Sequence, residues 1–290
     1  MEMSKPAPVL LRIAARKLEE ARYLTTSGLA ERYKQKAYEA ALESRGFYLS
    51  LSKSSNTPLL IAEIKPASPS KGLIRPGSKP SEIAKVYEAC GVAAISVLTD
   101  KDFGANPEYL LEACQNTQYT PNMMKDFVLH KEKLYEAKAH GADASLLIAS
   151  LLTTDQLTEY IGVARELGMD CLVEVHDEED IEKARQAGAV IYGINNRDLN
   201  RINEKDNTDL DTTQRLIRTG LIPADGLIVS ESGIFTYGDV KQLLYGPDGE
   251  KYERVPNAIL VGEAIMSAER NPTYEVMRNT IFELQGKRSV

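Results

Sequence analysis

The sequence predicts an α/β protein built as a single (β/α)8 barrel, and three observations support this prediction. From Leu59 onward, short apolar runs alternate with amphipathic helical stretches, and eight such pairs can be counted. The apolar runs are hydrophobic on both faces, which is typical of parallel strands that are buried on each side. The eight pairs occupy about 230 of the 290 residues, which fits a closed barrel, for which roughly 250 residues is typical.

The predicted strands are the apolar runs, which are Leu59–Lys65, Ala93–Leu98, Asn122–Lys125, Ala144–Ile148, Cys171–Val175, Ile191–Ile194, Leu227–Glu231 and Ala258–Val261. Each run precedes one predicted helix, and these helices are Ser81–Cys90, Pro107–Gln115, Lys131–His140, Thr154–Leu167, Asp177–Ala187, Asp209–Thr219, Tyr237–Leu244 and Pro272–Leu284. Glycine suits the left-handed position that ends many helices, and it follows four of them, at Gly91, Gly141, Gly168 and Gly188.

A doubly wound open sheet would show the same alternation of strands and helices. No GxGxxG follows the first strand, however. The segment Ser68–Gly72 has neither the glycine spacing of a dinucleotide fingerprint nor a Walker lysine. The closed barrel is therefore the favoured architecture.

Residues 1–48 precede the first strand and are predicted to form a helical extension packed on the barrel, which comprises residues 49–290. Apolar residues recur here at helical spacing and would share one face. They are Leu10, Ile13, Ala14, Leu18, Ala21 and Leu24. No linker, low-complexity tract or shift in composition marks a second domain.

The composition argues against several classes of function. A net charge of −7, without Lys/Arg runs interleaved with aromatics, argues against nucleic-acid binding. The longest apolar stretches, such as Ala144–Leu152, are far shorter than the roughly 20 residues that span a bilayer. No secretory segment is recognised at the start, so we expect a cytoplasmic protein with no membrane partner. The three cysteines and three histidines lack the spacing of metal ligands, so we expect neither a metal nor a cofactor.

Charged residues occur in strands that should be apolar, although moving an unpaired charge out of water is costly. Four odd-numbered strands carry one at or near the carboxyl end, and these residues are Lys65, Lys125, Glu174 and Glu231. In the first strand, the period of two places Ile61, Glu63 and Lys65 on one face. Side chains of alternate strands share layers inside such a barrel, so these groups are predicted to converge at its mouth. Each alone could be an ordinary ion pair; together they favour acid–base chemistry or a Schiff-base lysine.

Glycines near the last two strands indicate a second element of the site. Ser232-Gly233 follows strand seven and Gly262 follows strand eight. Barrels often bind phosphate at this place through backbone N–H groups. A contact from Glu263 would have to come from its backbone. The alternative is that these are plain turn glycines.

The chain resembles indole-3-glycerol phosphate synthase between Leu59 and Met266. Seven ordered segments at strand positions carry the resemblance, and they are Ile61–Ile74 (IAEIKPASPSKGLI), Ile95–Asp100 (ISVLTD), Lys125–Phe127 (KDF), Cys171–Asp180 (CLVEVHDEED), Tyr192–Leu199 (YGINNRDL), Val229–Ile234 (VSESGI) and Leu260–Met266 (LVGEAIM). The chain departs from the family at Pro66 and Met124, where arginine is usual, and its segment Thr99–Gly104 is shorter than usual.

The resemblance implies a metal-free enzyme of tryptophan biosynthesis. Its reaction converts 1-(2-carboxyphenylamino)-1-deoxyribulose 5-phosphate to indole-3-glycerol phosphate, with loss of carbon dioxide and water. Lys125 would be the general acid of ring closure. Glu174 and Lys65 would be the acid–base pair of the later steps, with Glu63 orienting Lys65.

The resemblance also implies how the substrate is held. Asn195 and Glu231 would contact a substrate hydroxyl and the lysines. The anthranilate ring and its carboxylate would lie near Ser68 and Arg197, between the apolar walls Phe103 and Phe127. The residues expected at the phosphate are Ser232, Gly233, Gly262 and Glu263. A small phosphorylated substrate is therefore the expected partner, association with other tryptophan-pathway enzymes is a further expectation, and residues 1–48 would help to cover the site.

Two other functions stay open on the same barrel. A Schiff-base phosphosugar lyase or isomerase would use Lys65 or Lys125 as a covalent residue, and borohydride would trap its adduct. A catalytically inactive binding paralogue would bind a substrate analogue without turnover. All the proposed catalytic side chains are present, and clustered charges of this kind favour an enzyme.

Overall fold

The computed structural model describes residues 8–40, 44–53, 57–68, 72–198, 207–267 and 269–287. Residues 1–7 and 41–43 of the predicted extension lie outside these ranges, as do residues 69–71 and 199 of the segments quoted above. Eight parallel strands within these ranges close into a barrel, and they are β1 (Leu59–Ile64), β2 (Ala94–Leu98), β3 (Asn122–Lys125), β4 (Ala144–Ile148), β5 (Asp170–Val175), β6 (Ile191–Asn195), β7 (Leu227–Glu231) and β8 (Ala258–Val261). Consecutive strands pair, and Leu59 of β1 closes the ring opposite Ala258 of β8. The predicted fold class is confirmed.

Helices surround this barrel. In the described part of the chain, three precede the first strand, and they are α1 (Pro8–Thr26), α2 (Leu29–Glu39) and α3 (Phe47–Leu51). The helices predicted between and after the strands are all present, and they are α4 (Pro80–Ala89), α5 (Pro107–Gln115), α6 (Glu132–Ala139), α7 (Thr154–Glu166), α8 (Glu178–Gln186), α9 (Asp211–Arg218), α10 (Tyr237–Leu244) and, beyond a short α11 (Glu263–Met266), α12 (Tyr274–Leu284). Positive φ angles confirm the four predicted glycine caps, at Gly91, Gly141, Gly168 and Gly188. None of the described helices is both long and apolar enough to cross a membrane.

Several short elements at the carboxyl ends of the strands were not predicted. Ala67–Ser68 pairs antiparallel with Gly72–Leu73 after β1. Single 3₁₀ turns, Lys101–Phe103 and Ala149–Leu151, follow β2 and β4. Elements of two to four residues are too short to show a hydrophobic period, so a sequence pattern does not reveal them.

Alternate side chains of the strands build two separate cores. In β1, Leu60, Ala62 and Ile64 join the cluster between the barrel and its helices, whereas Ile61 joins the cluster inside the barrel. Glu63 has the inward parity of Ile61, as the period of two predicts. The charged residues near the strand ends can therefore face the barrel mouth.

Helix α3 packs at the opposite, amino-terminal end of the barrel interior. Its Phe47 and Leu51 are fully buried and belong to the inner cluster, together with Ala94 and Ile191 from the starts of two strands. The predicted boundary between residues 48 and 49 falls inside this helix. The division of the chain into an extension and a barrel domain stays a prediction.

Helix α1 buries a charged residue where an apolar face was expected. Ile13 and Leu24 are buried as predicted, but Leu18 is 54% exposed and Lys17 is only 1% exposed. The side chain of Leu10 lies outside the described residues. The predicted face is therefore wrong at Leu18, because the ammonium of Lys17 reaches two buried carboxylates of the barrel and takes the inward position.

Candidate active site

A cleft of about 1030 Å³, measured out to bulk solvent, opens at the carboxyl ends of the strands. All of the site residues predicted from the sequence line it, and they are Glu63, Lys65, Ser68, Phe103, Lys125, Phe127, Glu174, Asn195, Arg197, Glu231, Ser232, Gly233, Gly262 and Glu263. Seven of the eight strands, or the segments that follow them, contribute these groups, so barrel closure brings together residues that are far apart in sequence. The roles of the individual residues are proposals, set out below.

The ammonium of Lys125 lies between two buried carboxyl groups, those of Glu174 and Glu231. Its Nζ is 3.0 Å from Oε2 of Glu174 and 3.5 Å from Oε2 of Glu231. Burial alone would lower the pKa of Lys125, but Glu174, Glu231 and Glu63 together outweigh it and raise the pKa. The amine therefore stays charged at neutral pH and is available as a hydrogen-bond donor.

Of the two glutamates beside Lys125, Glu174 has more hydrogen-bonding and charged neighbours. Its Oε1 accepts a hydrogen bond of 3.0 Å from Nδ2 of Asn195, and Nε2 of His176 lies 3.4 Å from the same oxygen. Burial would raise the pKa of Glu174, but Lys125, His176 and the bond from Asn195 lower it below its usual value. This residue is therefore an ionised carboxylate with its oxygens held in place.

The carboxyl group of Glu231 has fewer hydrogen-bond partners than that of Glu174. Within the described residues, its Oε1 is buried and has no hydrogen-bond partner. Burial, with the charges of Glu174 and Glu63, raises the pKa of Glu231 to about 8, against the opposing effect of Lys125. The group therefore holds a proton at neutral pH and can donate a hydrogen bond.

Lys65 and Glu63 form the second charged pair of the cleft. Nζ of Lys65 is 3.7 Å from Oε2 of Glu63 and 5.7 Å from the ring centroid of Phe103. The rings of Phe103 and Phe127 are 6.3 Å apart, so an apolar wall stands beside the lysine. The hydroxyl of Tyr87 donates a hydrogen bond of 3.2 Å to the carbonyl of Glu63, which fixes this end of β1.

The turn after β7 has the one positive φ angle found at a non-glycine residue in the described part of the chain, 71° at Ser232. Gly233 follows with a φ of 79°. Asn196 holds this turn, because its Nδ2 donates 3.0 Å hydrogen bonds to the carbonyl of Ser232 and to Oγ of Ser230. Thr213 in turn donates to Oδ1 of Asn196 at 2.8 Å. Left-handed residues turn successive N–H groups toward one point, which is a favourable geometry for an anion.

Several residues of the site were missed at the sequence level. Asp100 and Asp126 also line the cleft, and His176 and Asn196 support residues that were predicted. Each lies one or two positions from a predicted strand end, so its place in the chain was a usable signal. Among the described residues, no group of three or more His, Cys, Asp or Glu side chains is arranged to hold a metal ion.

A closed barrel whose strand ends hold paired acids and bases in one cleft defines a (β/α)8-barrel enzyme. The family model for indole-3-glycerol phosphate synthase matches residues 10–276 of this chain. The chain therefore belongs to the indole-3-glycerol phosphate synthase family.

Curated relatives agree with this assignment. The indole-3-glycerol phosphate synthase of Desulfotalea psychrophila is 42% identical over 261 residues, covering 89% of this chain and 93% of the relative. The enzyme of the same name from Neisseria meningitidis serogroup B is 40% identical over 266 residues, covering 90% and 95%. That from Acetivibrio thermocellus is 40% identical over 245 residues, covering 84% and 87%.

Similar solved structures show the fold alone, because their sequences differ greatly. The tryptophan synthase alpha chain from Legionella pneumophila has a TM-score of 0.56 at 13% identity, covering 84% of this chain and 97% of its own. The 3-keto-L-gulonate-6-phosphate decarboxylase from Vibrio cholerae has a TM-score of 0.52 at 14% identity, covering 78% and 98%.

Proposed function

We propose that this enzyme is a carboxy-lyase that forms the indole ring in tryptophan biosynthesis. It converts 1-(2-carboxyphenylamino)-1-deoxyribulose 5-phosphate to indole-3-glycerol phosphate, carbon dioxide and water. The family membership and the names of the relatives support this proposal. The structural observation that carries it is the Lys125 ammonium held between Glu174 and Glu231 in the cleft.

Ring closure needs a proton donor at the ketone oxygen of the substrate. In this proposal Lys125 protonates that oxygen while the aromatic carbon bonds to the ketone carbon. The raised pKa of Lys125 keeps the donor charged until the oxygen gains electron density. A fixed cation with buried partners stabilises such a developing charge more strongly than bulk solvent would.

The later steps need one base and one acid. Breaking the bond to the carboxylate releases carbon dioxide and returns an electron pair to the ring system. The hydroxyl formed from the ketone then leaves as water, while a carbon-bound proton is removed. Glu174, whose pKa is lowered, suits the base, and Lys65 beside Glu63 suits the acid.

The substrate would lie across the cleft with its phosphate at the turns after β7 and β8. Backbone N–H groups of Ser232, Gly233, Gly262 and Glu263 are the proposed phosphate donors. The anthranilate ring would lie against Phe103 and Phe127, with Ser68 and Arg197 near its carboxylate and Asn195 and Glu231 near the substrate hydroxyl.

Association with other enzymes of tryptophan biosynthesis and a cytoplasmic location are further parts of the proposal.

The observation against a Schiff-base mechanism at Lys125 is its charge. A lysine that attacks a carbonyl must be uncharged, which usually requires a lowered pKa. The three glutamates around Lys125 have the opposite effect and raise its pKa. The arrangement therefore favours proton donation over covalent catalysis by this residue.

The test is the appearance of indole fluorescence when the carboxyphenylamino-deoxyribulose phosphate is added to purified protein, with and without chelator. We expect turnover that survives chelator and falls at least about a thousandfold in Lys125→Ala, because the donor of the first step is lost. Lys131→Ala is the matched control, since this exposed lysine pairs with Glu159 on the outer surface. If the protein binds the substrate but forms no indole, the proposed reaction is wrong, although the barrel fold is unaffected. A stable adduct after borohydride treatment would favour the Schiff-base lyase instead.

A further inference from the structure

A buried cluster of ionised side chains joins α1 to the ends of β2 and β3. We call it the α1 ion cluster, and its members are Arg16, Lys17, Glu20, Asp100, Asp102, Asp126, Lys133 and Glu136. Lys17 and Lys133 are each only 1% exposed. Ionised lysines are almost never buried to this extent unless carboxylates surround them.

Lys17 is the centre of this cluster. Its Nζ lies 2.8 Å from Oδ2 of Asp100 and is also paired with Oδ1 of Asp126. Lys133 approaches the other oxygen of Asp126 at 3.1 Å. Two lysines from two different helices therefore hold Asp126, and one of them also holds Asp100.

Asp126 connects the cluster directly to Lys125, its neighbour in the chain. Oγ1 of Thr99 donates a 2.7 Å hydrogen bond to Oδ2 of Asp126, and the backbone N–H of Thr99 donates to the carbonyl of Lys125 at 3.3 Å. Oδ1 of Asp126 accepts a 2.7 Å bond from the N–H of Phe127. The position of Asp126 thus sets the backbone on both sides of it.

Asp100 connects the cluster to Phe103 in the same way. Its Oδ1 accepts a 2.8 Å hydrogen bond from the N–H of Asp102 and so caps the 3₁₀ turn Lys101–Phe103. Nη2 of Arg16 lies 2.8 and 2.6 Å from the two oxygens of Asp100. The turn that presents Phe103 to the cleft is therefore fastened to α1.

We propose that Lys17 is a positioning residue for catalysis. By bridging Asp100 and Asp126, it sets the separation between the ends of β2 and β3, and so the placement of Lys125 relative to the pair Phe103 and Phe127. Helix α1 in this way holds the general acid in position, which is a different role from covering the bound substrate. The inference rests on the proposed function, in which Lys125 donates the proton.

The test compares Lys17→Met with Lys17→Arg and with Lys131→Met, a control that removes an exposed lysine beside α6. We expect Lys17→Met to lower kcat by about 10- to 100-fold, since small displacements of reacting groups cost rates of this order, while KM changes less than threefold. Lys17→Arg should recover a large part of kcat. The fraction of competent sites, titrated with a substrate analogue whose ketone is reduced to an alcohol, corrects for any loss of folded protein.

Each outcome decides the proposal. If Lys17→Met raises KM and leaves kcat unchanged, α1 only covers the bound substrate. If neither kcat nor KM changes, the cluster has a purely structural role. Either result overturns the proposal. If Lys17→Met does not fold, Thr99→Val replaces it, because that change removes the hydrogen bond between Thr99 and Asp126 and leaves the ions in place. Retention of full kcat in Thr99→Val would then overturn the proposal.

A second readout needs no turnover and separates this inference from the proposed function. The 13Cε NMR signal of Lys125, assigned by its absence in Lys125→Arg, should shift in Lys17→Met and stay in place in Lys131→Met. An unmoved signal would reject the positioning role whether or not indole is made. If wild-type protein makes no indole but the Lys125 signal still shifts in Lys17→Met, the proposed reaction is wrong and the positioning role of Lys17 stands.

Discussion

A Cβ atom built on Gly193 would lie 2.1 Å from Oε1 of Glu231, so the backbone of β6 and the carboxyl group of β7 meet with no room for a side chain between them. Gly193 has no positive φ, and space is the reason that glycine is required here. We predict that Gly193→Ala displaces Glu231 and lowers kcat/KM by about 10- to 100-fold. Gly162→Ala in α7, where nothing lies within 4 Å, is the matched control and should keep full activity. Equal kinetics for both variants would contradict the prediction.

The proton held by Glu231 predicts how stability depends on pH. Between the ordinary pKa of 4.5 and the native pKa of about 8, the native state binds a proton that the unfolded state has released. The contribution of this group to the free energy of unfolding therefore falls as pH rises through that window. Glu231→Gln removes the contribution, so urea unfolding at pH 5 and pH 9 should show wild type losing on the order of a few kcal/mol relative to the variant. If the free energies of unfolding of wild type and Glu231→Gln change with pH in the same way, Glu231 is ionised throughout this range.

The partly buried histidine beside Glu174, His176, predicts a second pH effect. Burial lowers the pKa of His176, but Asp180 and Glu174 outweigh burial and raise it above 6.5. The stabilisation from the charged ring is complete below 6.5 and is lost as pH rises through the raised value. The difference in urea midpoint between wild type and His176→Gln should therefore be larger at pH 5.5 than at pH 9. His140→Gln serves as control, because His140 is a buried histidine that follows α6 and does not line the cleft. A difference between wild type and His176→Gln that is the same at both pH values would contradict the assignment.

Removing the support of the turn after β7 should weaken phosphate binding. Asn196→Ala deletes two hydrogen bonds that hold the strained conformation of Ser232. We expect KM to rise about 10-fold or more, since each buried bond contributes about 1 kcal/mol, with kcat changed less than threefold. Inorganic phosphate, used as a competitive inhibitor, should lose affinity in parallel. Asn116→Ala, at an exposed helix end, should change neither, and a fall in kcat alone would place Asn196 elsewhere in the mechanism.

Arg45 should matter for stability and not for activity. Its guanidinium donates 2.8 Å and 2.9 Å bonds to Asp143 and the carbonyl of Gly141 at the amino-terminal end of the barrel, the end opposite the cleft. We predict that Arg45→Ala lowers the free energy of unfolding by about 2–4 kcal/mol, because Asp143 is left buried without its cation. Urea unfolding measures this, and kcat at a permissive temperature should be unchanged. Arg45→Lys should retain part of the stability.

The order of elements and the charged strand ends could be predicted from the sequence because both depend on local pattern. Strand length, helix period and the parity of Glu63 and Lys65 are set within a few residues, and the structure confirms the eight strands and their helices. Parity also places Met124 in the outer core, next to the inward Lys125, so the substitution of the usual arginine does not enter the cleft lining.

The remaining features depend on contacts between distant parts of the chain. Lys17 breaks the apolar face of α1, and only the barrel shows the reason, because its two buried partners, Asp100 and Asp126, lie more than 80 residues away in the sequence. The protonation of Glu231 depends on how deeply three glutamates are buried together, and the left-handed Ser232 depends on Asn196 behind it. Periodicity and residue type contain none of this information.

The packing of Phe47 and Leu51 into the inner cluster has a consequence for protein synthesis. These residues leave the ribosome before any strand does, yet their cluster includes Leu227 and Ala258, from the last two strands. The inner cluster of the nascent chain is therefore incomplete until the last strands have been synthesised, and aggregation or chaperone capture can compete with folding during that period. A chain that ends before Ala258 would lack the strand that joins β7 to β1, so its barrel could not close around the inner cluster.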